Sequence, residues 1–216
     1  MIVADDFGES KDVDLAILDL VQSIEVNYIS AFSSIKYELP SEGLLKNISQ
    51  IKLHNPSLKF GLHYELDFLK GKISLRKQFV EFEKTFGFSP EYIDGHIHIH
   101  SIPIIDSLIN KFIYSKNILI RNTEILNTGK LELSFSSRYK RMLFSLIHRN
   151  MKNVNYMNDS ICNIYDLNKP QDFKSLWNFY KDLTERERRD TLFIIHPSLN
   201  ENSWKYNEYR TLKKEK

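Results

Sequence analysis

The sequence predicts an α/β protein built on a parallel sheet, and three observations carry that prediction. Short apolar runs of strand length alternate along the chain with longer segments of helical period. Hairpin signals between successive runs are missing, so each strand has to return through a crossover, which makes neighbouring strands parallel. The alternation runs on without a linker-like stretch, so residues 1–216 read as one domain of six or seven βα units, closed as a barrel or open and doubly wound.

The elements follow in order. Ile2, Val3 and Ala4 read as a first strand, and Ser10 caps a helix whose apolar face is Val13, Ala16, Ile17, Leu20 and Val21 or Ile24. Residues 26–32 form the next strand, Ser41 starts a helix carrying Leu44, Leu45, Ile48 and Ile51, and residues 58–64 return as a strand. Ser74 opens a helix with Leu75, Phe79, Phe82 and Phe86, which Gly87 closes ahead of Pro90. Strand four is EYIDGHIHIH, ending at His100, and Pro103 begins a helix through Ile104, Leu108 and Phe112. Residues 117–122 are a strand, 131–152 a helix with Leu143, Leu146 and Ile147 inward, and 160–165 a weaker strand. Phe173, Leu176, Phe179, Tyr180 and Leu183 mark a helix over 172–189, residues 191–196 the last clear strand, and the tail after 197 is polar.

Composition removes several classes of function. A charge of +2 is too small to argue for nucleic acid, and no apolar run approaches the roughly 20 residues of a membrane span. The acidic start lacks the pattern of a secretory leader, so a cytoplasmic location is the default. The single cysteine, Cys162, excludes an intramolecular disulfide and any cysteine-rich zinc site, and its apolar surroundings read as those of a buried, inert thiol. A homodimer is compatible with the sequence but has no signature in it.

In a parallel α/β fold, chemistry belongs at the C-terminal ends of the strands. Asp5 and Asp6 end the first strand, His63 the third, His96, His98 and His100 the fourth, and His196 the last. Any one of these is ordinary as a capping or surface residue; four separate strand ends with ionisable groups point to one site. His54 and His148 lie on helical segments and read as structural. In DGHIHIH a strand period of two would put Asp94, His96, His98 and His100 on one face and Ile97 and Ile99 on the other. Imidazoles with carboxylates suit zinc or another first-row ion, and magnesium with a carboxylate and waters also fits. Adjacent aspartates point in different directions, so one can ligate an ion while the other reaches a bound water.

The stretches ADDFGES, GLHYEL, DGHIHIH, NILIRN and FIIHPS, in this order, resemble the YdjC-like carbohydrate deacetylases from residue 2 to about residue 198. The resemblance implies a single parallel β/α barrel, with a distorted or incomplete TIM-like form admitted, a divalent metal ion (Mg2+ or Zn2+), and hydrolysis of the acetyl group of an N-acetylated saccharide. Carried over by position, Asp5 is the base, Asp6 the metal carboxylate and His63 a metal histidine, with His96 or His98 supplying the second. His100 and Asp94 hold substrate or orient a ligand, Arg121 orients Asp5 or contacts substrate, and His196 is the general acid. Phe7, Tyr64 and Trp204 are aromatic surfaces on which a sugar ring could stack, although plain packing accounts for each.

The sequence departs from the family pattern in three places. Val3 stands where the family has Asn, His196-Pro197-Ser198 replaces His-Pro-Gly, and only four residues precede Asp5. The last departure means either a start further upstream or a stunted, weakly anchored first strand. Two rival functions are another metal hydrolase, such as a phosphoesterase, and a non-catalytic sugar-binding protein. The first lacks a Gly-rich phosphate loop and the second is at odds with the retained Asp5, Asp6, His63 and His196.

Overall fold

The computed structural model describes residues 1–37, 48, 50–66, 74–114, 116–126, 139, 155–164 and 173–214. The helix start at Ser41 with Leu44 and Leu45, and the helix over 131–152 with His148, apart from Tyr139, which is helical and exposed, lie outside the described residues. The described strands are β1 (Ile2–Phe7), β2 (Tyr28–Ala31), β3 (Lys59–Tyr64), β4 (Tyr92–Gly95), β5 (Leu119–Ile120), β6 (Ser160–Cys162) and β7 (Thr191–Ile195). They form one all-parallel sheet in the order β5-β4-β3-β2-β1-β7-β6. Isolated parallel bridges, Ile120 with Tyr156 and Ile125 with Ile161, link the β5 edge back to the β6 side. The sheet is therefore a curled, incomplete β/α barrel.

Both faces of this sheet are buried, and strand alternation assigns each side chain to one of them. Ile2, Ala4, Ile29, Phe60, Leu62, Ile93, Phe193 and Ile195 pack outward against the helices. Val3, Tyr28, Tyr92, Ile161, Leu192 and Ile194 fill the inside, with Leu119 against them. Gly61 belongs to this inner layer: a Cβ there would lie 2.3 Å from the Tyr92 ring on the paired strand, so only glycine leaves the ring its space. Two residues further along each strand the inward position turns polar: Asp5, Ser30, His63, Asp94, Arg121, Asn163 and His196.

The helices follow local chemistry. The Ser10 side chain accepts the Val13 amide and starts α1 (Lys11–Ser23), and Ser74 accepts the Lys77 amide and starts α2 (Leu75–Phe86). Gly87 ends α2 in the left-handed conformation, φ 79°. Pro103 opens α3 (Pro103–Ile113), but the face it buries is Ile109 and Ile113, while Ile104 and Leu108 are exposed. The helix expected over 172–189 is two, α4 (Phe173–Lys181) and α5 (Glu185–Asp190), because Thr184 forms a capping box with Glu187 and starts a new helix there. The polar tail contains a further helix, α6 (Lys205–Lys213), which packs on α1 and α4 and buries Glu208 and Leu212.

The first strand is neither stunted nor loose: all six residues are buried, and β1 pairs with β2 on one side and β7 on the other. The largest departure is at HIHIH. Strand β4 stops at Gly95, and His96–Ser101 form short helical turns broken by a kink at Ile97 and His98, both with positive φ, 55° and 58°. Left-handed backbone is costly for a β-branched residue such as Ile97, whose side chain is exposed. The three imidazoles therefore do not share a strand face.

Candidate metal and acid-base centre

The two aspartates reach the site because β1 bulges. Ala4 pairs with Ile29 but Phe7 with Ala31, so β1 carries one extra residue, and Asp6 sits there at φ 69°. Regular pleating would send Asp6 to the helix side; the bulge turns its carboxylate inward beside Asp5. Asp14 of α1 braces this turn, accepting the Gly8 amide and the Tyr37 hydroxyl at 2.6 Å each. Burial raises the Asp14 carboxyl to about 7, against the pull of those two bonds.

Asp6, His63 and His96 form one group. Asp6 Oδ1 lies 3.4 Å from both His63 Nε2 and His96 Nδ1, and the two ring nitrogens are 3.2 Å apart. Three donors bound at about 2.1 Å to one ion stand about 3.0 Å apart in an octahedron and about 3.4 Å in a tetrahedron, so this triangle has the right edge lengths. Asp6 Oδ1 is also buried without a hydrogen bond among the described residues, which a cation would answer. Burial would raise the Asp6 carboxyl, but the His63 and His96 rings hold it well below the usual carboxylate range. The Phe32 ring packs on both imidazoles, 5.1 Å and 5.6 Å between ring centres.

Behind this group runs a buried chain of charge. His63 Nδ1–H donates to Asp94 Oδ1 at 2.7 Å, so that once the ring is neutral Nε2 offers a lone pair to the cleft, and the Ser30 hydroxyl donates to the same carboxylate at 2.6 Å. Arg121 bridges Asp94 to Asp5, donating from Nη1 to Asp5 Oδ2 at 2.7 Å and from Nη2 to Asp5 Oδ1 at 2.6 Å, and pairing Nη2 with Asp94 Oδ2. Burial works against both charges, yet each partner holds the other ionised: Asp94 lies well below its ordinary range and Arg121 well above. Burial lowers the His63 ring, but Asp94 and Asp6 outweigh it and push it up to about 10 when no cation is beside it.

The remaining residues named from the sequence take different places. His196 ends β7 with Nε2 4.0 Å from Asp5 Oδ2, and burial lowers its ring below 6.5 despite Asp6 and Asp5 nearby. His98 lines the same cleft as His96 but lies outside the donor group. His100 turns away beneath the site and donates Nε2–H to the Arg121 carbonyl at 3.1 Å, with burial pushing its ring down to about 4. Phe7 and Tyr64 are buried in the core, and Trp204 is 44% exposed at the cleft, its ring centre 6.0 Å from that of His196. His54 is exposed on a helical segment.

Sequence reasoning missed Ser30, Glu9, Lys205 and Glu208, and also Asn163 just past β6. Ser30 hides in an apolar strand, and Glu9 follows the aspartates in the turn. Lys205 and Glu208 stand on α6, whose signal was the spacing of Trp204, Glu208 and Leu212 along a helix otherwise polar enough to pass for a tail. Lys205 Nζ lies 2.9 Å from Asp6 Oδ2 and 2.5 Å from Glu9 Oε2. Glu208 Oε2 accepts the His196 amide at 2.5 Å, and burial raises its carboxyl to about 8. The cleft over these groups has a volume of 450 Å³ and is lined by Asp5, Asp6, Glu9, His63, His96, His98, Asn163, His196, Trp204 and Lys205 among others.

The fold and this cluster define a curled parallel β/α barrel with an acid and imidazole centre at its strand C-termini. The chain belongs to the YdjC-like protein family, whose model matches residues 41–216. It is 23% identical over 153 residues to a chitooligosaccharide deacetylase of Yersinia enterocolitica, covering 56% of this chain and 58% of that protein. It is 26% identical over 152 residues to a carbohydrate deacetylase of Clostridium beijerinckii, covering 60% of this chain and 62% of that one. The matched stretch thus spans less than two thirds of either relative. Among solved structures, an Enterococcus faecalis V583 protein named for cellobiose-phosphate cleavage superposes with a TM-score of 0.61 at 16% identity, over 99% of this chain and 89% of that one, a likeness of fold. Among the described residues no helix is long and apolar enough to cross a membrane.

Proposed function

We propose that the protein is a metal-dependent carbohydrate N-deacetylase, with Asp6, His63 and His96 holding a divalent ion. The observation that carries this reading is the Asp6 Oδ1, His63 Nε2 and His96 Nδ1 triangle, set beside an Asp5 carboxylate whose Oδ2 is 4.0 Å from His196. A divalent ion held there supplies Lewis acidity and an acidified water. Asp5, fixed by the Arg121 fork, takes the proton of the attacking water at Oδ2 as the new C–O bond forms. His196, neutral at rest through burial and within 4.0 Å of that oxygen, carries the proton to the amide nitrogen as the C–N bond breaks. One water is consumed, and acetate and a free sugar amine leave. Arg121 keeps Asp94 charged, and Asp94 holds His63 in the tautomer that offers Nε2. The deacetylase names of the relatives support the saccharide substrate.

The test is acetate release from N-acetylated oligosaccharides by the metal-loaded protein, with Asp5→Asn and His196→Ala as controls. Release by the wild type and loss in both variants supports the reading. No release from any acetylated saccharide, with metal demonstrably bound, overturns it.

A further inference from the structure

The second oxygen of Asp6 is already taken. Lys205 Nζ holds Asp6 Oδ2 at 2.9 Å while Oδ1 faces the two imidazoles, so the carboxylate is divided between an ammonium and the donor triangle. Glu9 fixes the other side of the ammonium at 2.5 Å, and the Glu9 amide donates to the Asp6 carbonyl at 3.0 Å, tying lysine, bulge and glutamate into one unit. The Lys205 side chain is only 13% exposed, so water competes weakly for it.

We infer that Lys205 is a positioning residue of this centre, which restricts Asp6 to a single ligand oxygen and thereby disfavours large cations. The inference rests on the metal-binding reading above. Ca2+ takes six to eight oxygens and commonly both oxygens of a carboxylate, whereas Zn2+ and Mg2+ are satisfied by one at about 2.1 Å. A carboxylate with one oxygen committed to an ammonium suits the smaller ions. Charge alone would act differently: removing the ammonium would tighten every divalent ion alike and leave their ratio untouched.

Dissociation constants for Zn2+ and Ca2+, measured by competition with indicator dyes on the full chain, separate the two effects. Lys205→Met removes both donor and charge, and Lys205→Gln removes the charge but keeps a donor for Oδ2. The inference expects Lys205→Met to raise the Ca2+ to Zn2+ affinity ratio by about tenfold or more, with Lys205→Gln close to wild type. Thermal melting checks that each variant is folded, and Lys205→Ala takes the place of the Met variant if that one is not. An unchanged ratio in folded Lys205→Met or Lys205→Ala overturns the inference and leaves the metal site standing. A wild type that binds neither ion overturns the metal reading itself.

Discussion

His63 stands between Asp94 and the cleft, its Nδ1 2.7 Å from Asp94 Oδ1 and its Nε2 3.2 Å from Nδ1 of His96. The carboxylate sets both the tautomer and the tilt of the ring. Asp94→Asn can still accept a hydrogen bond but no longer supplies charge, so divalent-ion affinity is expected to fall about 10- to 100-fold. Competition with a zinc indicator reads this directly, and an unchanged affinity would remove Asp94 from the site.

Ion binding should also follow pH. The metal-free His63 ring holds its proton up to about 10, because Asp94 and Asp6 outweigh the burial that lowers it, and an ion needs that ring neutral. Each ion bound therefore displaces the His63 proton at neutral pH. Apparent affinity is expected to rise by up to about tenfold per unit between pH 6 and 8. Calorimetry in two buffers of different ionisation enthalpy counts the protons released; zero protons would contradict it.

Arg121 is fully enclosed with two carboxylates on its fork. Arg121→Met leaves Asp5 buried without its paired charge and Asp94 with His63 alone, a change that costs about 3–5 kcal/mol. Urea unfolding measures it. The double variant Arg121→Met with Asp5→Asn should recover part of the loss, and no recovery would mean that the arginine acts by packing alone.

Glu208 gives stability a pH slope. Its carboxyl moves from the ordinary 4.5 to about 8 on burial, so between those values the folded state keeps a proton that the unfolded chain has released. The unfolded state then binds fewer protons, and the contribution of this group falls as pH rises through the window. Glu208→Gln keeps an acceptor for the His196 amide and removes the titration. Its melting temperature relative to wild type should be several degrees higher at pH 8 than at pH 5. A constant difference would show that Glu208 is already ionised in the fold.

Legibility in the sequence tracked the range of the forces involved. Helix starts at Ser10 and Ser74 and the stop at Gly87 were readable because a cap satisfies backbone groups within three residues. The gathering of Asp5, Asp6, His63 and His196 was readable because parallel strands all end on one side of the sheet. HIHIH misled for the opposite reason. Its alternation satisfies a strand template, but Gly95 passes so close to His100 that a Cβ would lie 2.9 Å from the His100 amide, and the chain turns there instead of extending. Neither the bulge at Asp6 nor the reach of Lys205 across 199 positions leaves a local trace, since both depend on partners supplied by distant segments. The tail helix was hidden by its charged exterior.

The inner face of the sheet also ties folding to chemistry. Each strand carries an apolar residue and, two places on, a polar one, as in Val3 and Asp5, Tyr28 and Ser30, or Tyr92 and Asp94. A slip of one residue in β1, β3, β4 or β7 would exchange its two faces, sending a carboxylate or imidazole into the apolar layer under the helices. Such a mistake is penalised at once by an unpaired buried charge. The polar rim therefore proofreads strand register, and a chain that has assembled its ionisable cluster has, by the same pairing, threaded its barrel correctly.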